Sequence, residues 1–188
     1  MRRLAMFNAV TLDGFFTGRD GDLSWAHGAA DDTEWNEFVE GNASGEGVLV
    51  FGRVTFDMMA SYWPTPMAQQ AMPKVAARMT AHRKIVYSRT LKNVSWANTT
   101  VIGGDVVESM RRLKNEPGPP MTILGSGSIT AQLARAGLID EYQLVLRPVA
   151  IGSGRTLFDA GTAPIGMTLK ASRSFKNGSV WLQYEPKA

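Results

Sequence analysis

The sequence predicts an α/β fold with a mostly parallel central sheet, helices on both faces and an antiparallel hairpin at the C-terminal end. Short apolar segments alternate with segments of helical periodicity, which is typical of a sheet that is buried on both faces. Near the C-terminus, two strand-like segments flank Lys176-Asn-Gly178, and an Asn-Gly pair is typical of a type I′ hairpin turn. The chain of 188 residues has the length of one domain, so we expect residues 1–188 to form a single domain.

The first half of the chain contains four predicted strands and three predicted helices. Residues 3–12 form an apolar strand that ends at Asp13-Gly14, a strong turn signal. Residues 31–39 begin with two aspartates and then show helical periodicity. By the same criteria, strands are expected at residues 47–51, 83–88 and 99–102, and helices at residues 54–61 and 68–82. Pro73 is expected near the start of that last helix, where proline is tolerated.

The second half repeats the alternation and then closes with the hairpin. Helices are expected at residues 106–115 and 129–136, and strands at residues 121–125, 142–149, 167–175 and 179–184. Residues 116–120 are rich in proline and glycine, which indicates a loop.

Composition excludes several classes of function. Hydrophobic residues make up 44% of the chain and charged residues 20%, which is ordinary for a soluble globular protein, and we expect a cytoplasmic location. The apolar stretch after the basic N-terminus is soon interrupted by Asn8, so we do not expect export, and no apolar run is long enough to span a membrane. Without cysteine and with two histidines, a thiolate or multi-histidine metal centre is not expected. The net charge of +3 comes from scattered basic residues, which does not favour nucleic-acid binding.

The turn Gly125-Ser-Gly-Ser128 is the most informative local feature. It follows an apolar strand and precedes a helix that is predicted to open at Ile129. Glycines allow a ligand to approach the backbone closely, and a helix start favours phosphate. The alternative is an ordinary strand-to-helix turn in which Ser126 or Ser128 caps the helix.

Six segments occur in an order that carries a resemblance to a known family. They are Thr11-Leu-Asp-Gly-Phe15, Val50-Phe-Gly-Arg-Val-Thr-Phe56, Val86-Tyr-Ser-Arg89, Ile123-Leu-Gly-Ser-Gly-Ser128, Leu138-Ile-Asp-Glu-Tyr-Gln-Leu144 and Pro148-Val-Ala-Ile-Gly-Ser-Gly-Arg-Thr-Leu-Phe158. Together they resemble the dihydrofolate reductase-like superfamily, and most closely the C-terminal reductase domain of riboflavin biosynthesis. The resemblance implies a three-layer dihydrofolate reductase-like fold, NADPH as cofactor, and a homodimer that binds a small-molecule substrate.

The resemblance also implies a set of cofactor-binding residues. Arg53, Ser88 and Arg89 match positions that bind the 2′-phosphate, to which an arginine fork is suited. The pyrophosphate side is matched by Gly52, Thr55, Gly125, Ser126, Gly127, Ser128 and Ile129. The alternatives are a surface arginine at position 53, a helix cap at position 55 and a common polar pair at positions 88 and 89. Dihydrofolate reductases have two adjacent glycines where this chain has Gly125-Ser126.

The substrate side carries weaker signals. Asp13, Asp31 and Asp32 are the candidate catalytic carboxylates, and Thr11 and Trp25 are the candidate substrate contacts. The residues from Asp31 to Glu34 also have the spacing of a helix cap with an acidic first turn, and Asp13 is also a typical turn residue before a glycine. Trp35 and Phe38 could flank a flat substrate or belong to the core.

The expected function is NADPH-dependent hydride transfer to a small heterocyclic substrate of the pteridine, pyrimidine or flavin type. Two alternatives stay open at this point. One is a nucleotide-binding module without efficient turnover, and the other is true dihydrofolate reductase activity.

Overall fold

A computed structural model describes residues 1–29, 31–158 and 162–187. An eight-stranded sheet forms its centre, and its strands follow in chain order. They are β1 (Leu4–Thr11), β3 (Val48–Gly52), β4 (Arg83–Tyr87), β5 (Thr99–Ile102), β6 (Met121–Leu124), β7 (Glu141–Arg147), β9 (Met167–Ser174) and β10 (Val180–Pro186). A separate short pair consists of β2 (Phe15–Thr17) and β8 (Arg155–Thr156).

The order of strands in the sheet is β5-β4-β3-β6-β1-β7-β10-β9. The six strands from β5 to β7 are parallel, and β10 pairs antiparallel with both β7 and β9. The mostly parallel sheet with a C-terminal antiparallel hairpin is therefore confirmed. Parallel strands end at the same edge of the sheet, so the segments that follow β1, β3 and β6 meet there.

Six helices cover both faces of the sheet. They are α1 (Thr33–Ala43), α2 (Arg53–Tyr62), α3 (Pro66–Ala71), α4 (Pro73–Ala81), α5 (Val106–Asn115) and α6 (Gly127–Arg135). Alternate strand residues face opposite sides. Val50 packs in one core with Met110 of α5 and Leu133 of α6, while its neighbour Phe51 packs on the other face with Phe56 of α2. Both faces of the sheet are thus buried under helices, as the sequence predicts.

The single helix expected at residues 68–82 is wrong. The chain forms α3 and α4 instead, and Met72 between them has a non-helical conformation with φ −143° and ψ 69°. The ring of Pro73 disfavours helical geometry at the residue before it, so the first helix ends and a second one starts with proline in its first turn.

The type I′ turn expected in the hairpin is also wrong. Gly178 has a positive φ of 82°, whereas Asn177 does not belong to the positive-φ residues that a type I′ turn would require. The Gly178 N–H donates to Phe175 O at 2.9 Å. The Asn177 side chain donates to Asp32 Oδ2 at 2.7 Å and accepts from Ser179 N at 2.9 Å, which holds the turn against the start of α1.

Within the described residues, the helices are all too short or too polar to cross a lipid bilayer.

Candidate functional site

A cavity of about 470 Å³ lies at the carboxyl edge of the parallel strands. Its walls come from the ends of β1, β3 and β6, the first turns of α2 and α6, and the β2–β8 pair. We call it the edge cavity. Eight of the ten cofactor residues expected from the sequence line it: Gly52, Arg53, Thr55, Gly125, Ser126, Gly127, Ser128 and Ile129. They converge because β3 and β6 are neighbours, so α2 and α6 start side by side.

Two turns of the edge cavity are locked together by Ser126. Its hydroxyl accepts from Gly52 N at 2.9 Å and donates to Leu124 O at 3.1 Å. Its own N–H donates to Thr55 Oγ1 at 3.1 Å. Ser126 and Thr55 therefore do not cap their helices with their side chains, and the capping alternatives for them are wrong. Helix α6 begins at Gly127, so Ser128 lies inside it.

The backbone at this turn is left-handed at two consecutive residues. Gly125 has φ 62° and Ser126 has φ 56° with ψ 52°. Side chains disfavour this region, and serine adopts it here while its hydroxyl is fully used. A Cβ atom at Gly125 would lie 2.9 Å from Thr55 Cγ2, so glycine also allows the two helix starts to approach each other.

Phe16 and Arg155 lie over the same turn, and neither belongs to the site residues expected from the sequence. An ideal Cβ atom at Gly127 would lie 2.3 Å from Phe16 Cζ, so the ring rests directly on the glycine. The guanidinium of Arg155 stacks on Phe16 with Cζ 5.6 Å from the ring centroid, and both side chains line the edge cavity. A signal for Arg155 was present, because a cation follows the glycine-rich Gly152-Ser-Gly154.

The edge cavity is electropositive. Arg53 and Arg155 line it, whereas no aspartate or glutamate of the described chain does so. Arg53 is half exposed and forms an ion pair with Asp57 at 2.9 Å, one turn further along α2. The structure thus supports both the surface-charge alternative and access of Arg53 to a ligand.

Ser88 and Arg89 follow Tyr87, which lines the edge cavity, but they are not part of its lining. The Ser88 hydroxyl accepts from Thr90 N at 3.2 Å and Leu91 N at 2.9 Å, which leaves its proton free to be donated. Arg89 is exposed.

A second cavity of about 310 Å³ lies between the sheet and helices α1, α2 and α4. We call it the inner cavity. It shares one wall with the edge cavity, and that wall is entirely apolar: Phe7, Ala9, Ala26, Met59 and Leu124 line both. The two cavities are therefore neighbours on either side of this wall.

Asp13, Asp32 and Thr11 make structural contacts outside both cavities. Asp13 accepts from the Thr11 hydroxyl at 2.5 Å and from the N–H groups of Ile151 and Gly152 at 3.0 and 2.7 Å. The Thr11 hydrogen bond is the largest of the causes that lower the pKa of Asp13. Asp32 caps α1 by accepting from Trp35 N at 3.1 Å.

The remaining substrate-side candidates are also placed by the structure. Asp31 is exposed before α1, and Trp25 is partly buried in a short 3₁₀ turn. The indole N–H of Trp25 is buried without a hydrogen-bond partner in the described chain. Trp35 lines the inner cavity and also packs against Phe38, so it belongs to both the core and the site.

Arg147 positions the loop that reaches both cavities, and it does not belong to the site residues expected from the sequence. Its side chain is buried at the end of β7 and donates to His27 O at 3.0 Å and Ser179 Oγ at 2.9 Å. The guanidinium lies 5.0 Å from the centroid of the Trp35 ring. Burial lowers the pKa of Arg147. By holding His27, it fixes the neighbouring Ala26 in the wall between the cavities.

Within the described ranges, no group of three or more His, Asp or Glu side chains has the geometry of a metal site.

Comparisons with known proteins identify the family. Residues 2–181 match the RibD C-terminal domain. The chain is 27% identical over 183 residues to the uncharacterized protein YyaP of Bacillus subtilis (strain 168), which covers 97% of this chain and 94% of that protein.

Solved structures agree on the fold. A candidate riboflavin biosynthesis protein from Shewanella sp. PV-4 superposes with a TM-score of 0.74 and 20% identity over 99% of both chains. Dihydrofolate reductase from Enterococcus faecalis, complexed with NADP(H), superposes with a TM-score of 0.66 and 17% identity over 99% of this chain and 97% of that chain. The fold is therefore dihydrofolate reductase-like, as expected. With a family match over nearly its whole length, the chain belongs to the RibD C-terminal domain family.

Proposed function

We propose that the protein is an NADPH-dependent reductase that transfers hydride to a small heterocyclic substrate. NADPH occupies the edge cavity and the substrate occupies the inner cavity. The observation that carries this proposal is the shared apolar wall, because it places the two cavities side by side, as transfer of a hydride between two bound ligands requires. Family membership and the dihydrofolate reductase-like fold support a reductase role.

The residues of the edge cavity fit a nicotinamide dinucleotide. Its volume of 470 Å³ lies within the range of about 300–1,000 Å³ for small-molecule sites. The starts of α2 and α6 provide partial positive charge and the N–H groups of residues 53–55 and 127–128 for the pyrophosphate, whereas Gly52 N and Ser126 N already donate within the turns. The side chains of Arg53 and Arg155 each carry a full positive charge. We assign the 2′-phosphate to Arg53, with Ser88 and Arg89 as further contacts to the same phosphate.

The protein positions the two ligands and excludes water from the place between them. When bound, the nicotinamide supplies the hydride. The apolar side chains of the shared wall keep water away from the place where the ligands meet, and Arg147 keeps Ala26 in that wall. Asp13, Asp31 and Asp32 do not line either cavity. A catalytic role for their carboxylates stays a prediction.

The first test is a fluorescence titration with NADPH and NADH. We expect tighter binding of NADPH, and we expect Arg53→Ala to weaken NADPH by roughly tenfold or more while NADH changes little, because a charge-assisted contact contributes about 1.5–3 kcal/mol. Arg112→Ala is the matched control, since Arg112 also forms an exposed ion pair one turn along its helix but lies on α5, away from the cavity. Equal affinities for both cofactors, or equal losses in both variants, would contradict the assignment.

A second candidate is a nucleotide-binding module without efficient turnover. It is favoured by the absence of any acidic side chain from the shared wall. NADPH oxidation in the presence of pteridines, flavins and quinones distinguishes the two, because a binding module gives tight NADPH binding and no oxidation. An assay with dihydrofolate tests the third alternative, true dihydrofolate reductase activity.

A further inference from the structure

We infer that the substrate is an uncharged planar molecule without phosphate or carboxylate, and that the inner cavity selects it. The identity of the inner cavity as the substrate site rests on the proposed function. The selection itself rests on the contrast in charge between the two cavities, which can be tested without any cofactor.

No lysine or arginine of the described chain lines the inner cavity. Glu46 is the acidic residue of its lining, and this side chain is exposed. An anion that enters would lose hydration and gain no cation among the lining residues, while Glu46 repels it. The buried guanidinium of Arg147 lies beside the Trp35 ring, but it is not part of the lining and donates to His27 O and Ser179 Oγ. The edge cavity offers two arginines to an anionic ligand, so the protein separates a charged ligand from an uncharged one.

His82 is the histidine that lines the inner cavity, and its ring is already engaged. Nε2 faces Ala43 O at 3.1 Å and Nδ1 faces Gly47 O at 3.4 Å. Both ring nitrogens therefore point at carbonyl oxygens of the chain. The imidazole holds the end of α1 to the loop that follows it and does not turn a donor toward a ligand.

The remaining wall suits a flat apolar ring. Trp35, Trp63 and Phe7 contribute aromatic surface, and Met59 and Met79 contribute adaptable thioethers. Few polar groups remain. The Gln143 amide accepts from Trp181 Nε1 at 3.3 Å and also donates to Glu141, so its hydrogen-bonding capacity is partly used.

The experiment compares two bicyclic probes that differ by one carboxylate. Calorimetric titration of the cofactor-free protein with 6-methylpterin and with pterin-6-carboxylate, and with lumichrome as a second neutral probe, gives the affinities. We expect binding of the neutral probes and an affinity for pterin-6-carboxylate at least about tenfold weaker than for 6-methylpterin. Equal affinities, tighter binding of the carboxylate, or no binding of either neutral probe would overturn the inference.

Two variants place the effect in the inner cavity. Ala43→Phe adds a ring to the cavity wall and is expected to abolish binding of the neutral probes. Ala81→Phe is the control, because Ala81 also ends a helix but is exposed and outside the cavity.

Glu46→Lys changes an exposed residue and leaves the core intact, so it keeps the test valid if Ala43→Phe does not fold. It is expected to raise the affinity for pterin-6-carboxylate severalfold and to leave 6-methylpterin unchanged.

The outcomes separate this inference from the proposed function. If NADPH binds and the carboxylate probe is preferred, the inference fails and the reductase proposal stands. If NADPH does not bind but the neutral probes are preferred, the reductase proposal fails and the selectivity of the inner cavity stands.

Discussion

The Phe16 ring lies against Gly127 so closely that a Cβ atom at Gly127 would be 2.3–2.8 Å from three of its carbon atoms. The absence of a side chain at Gly127 is therefore required by packing between β2 and α6, before any ligand is considered. We expect Gly127→Ala to lower the free energy of unfolding by about 1–3 kcal/mol, because the ring must shift out of its place. Urea unfolding measures this.

The control is the double variant Gly127→Ala with Phe16→Ala. Removing the Phe16 ring removes the clash with the added Cβ atom. Phe16→Ala is therefore expected to lower the free energy of unfolding far less in the Gly127→Ala background than in the parent protein. Additive losses would contradict the packing role. NADPH titration of the double variant then shows whether the added Cβ atom also obstructs the cofactor.

Ser126→Ala is expected to lower the free energy of unfolding by about 1–2 kcal/mol. The hydroxyl serves Gly52 N and Leu124 O, and both would lose a partner. Ser128→Ala is the control, because Ser128 is exposed on the same turn, and its change is expected to stay within about 0.5 kcal/mol. Equal effects of the two substitutions would show that the Ser126 hydroxyl does not lock the turns.

Lys84→Met is expected to destabilise the protein by roughly 2–4 kcal/mol at pH 7. The buried ammonium donates to Thr80 O, His82 O and Ala97 O at 2.6–3.0 Å, and methionine would leave three carbonyl groups without a donor. Lys74→Met at the start of α4 is the control, since that exposed lysine forms one surface ion pair with Glu40 and contributes less than about 1 kcal/mol. Chemical denaturation distinguishes the two.

Burial lowers the pKa of Lys84 to about 8, so the contribution of Lys84 to the free energy of unfolding depends on pH. An unfolded lysine keeps its proton up to about pH 10.4, so the unfolded chain binds more protons than the folded chain between pH 8 and that value. Stability from this group therefore rises with pH across this window. The difference in unfolding free energy between the parent protein and Lys84→Met is expected to grow from pH 8 to pH 10, and a constant difference would contradict the lowered pKa.

Asp13→Asn is expected to remove an acid-sensitive contact between the first turn and the loop around Gly152. The folded pKa of Asp13 is lowered, first by the Thr11 hydroxyl, so its contribution is present above about pH 4 and is lost as the pH falls through the folded pKa. Melting temperatures of the two proteins are expected to differ at pH 6 and to converge toward pH 2. Asp31→Asn is the control, because Asp31 is exposed. If the melting temperature of Asp31→Asn converged in the same way with that of the parent protein, Asp13 would not be responsible for the acid sensitivity.

Most elements were predictable because their signals are local. The apolar strand at residues 121–124 and the glycine-rich turn after it could be read from a few residues. Pro73 also breaks the helix at Met72, because its ring disfavours helical geometry at the residue before it, and helical periodicity alone does not show this break.

The site was less predictable because it depends on strand neighbours. The Gly52–Ser126 and Ser126–Thr55 contacts join segments more than 70 residues apart. The residues next to each hydroxyl in the sequence indicate a helix cap and do not reveal the distant partner. Asp32 could be interpreted as a cap from its spacing, but its second partner, Asn177, lies in the distant hairpin. Phe16 could not be assigned because its role depends on its distance from Gly127.

The central place of β1 has a consequence for biosynthesis. This strand leaves the ribosome well before its two neighbours in the sheet, which begin at Met121 and Glu141. Its apolar residues therefore stay without their native partners until most of the chain has been translated, and such non-local pairing makes folding slow. A nascent chain that stalls before residue 121 exposes an unpaired strand with two open edges, which is a template for aggregation.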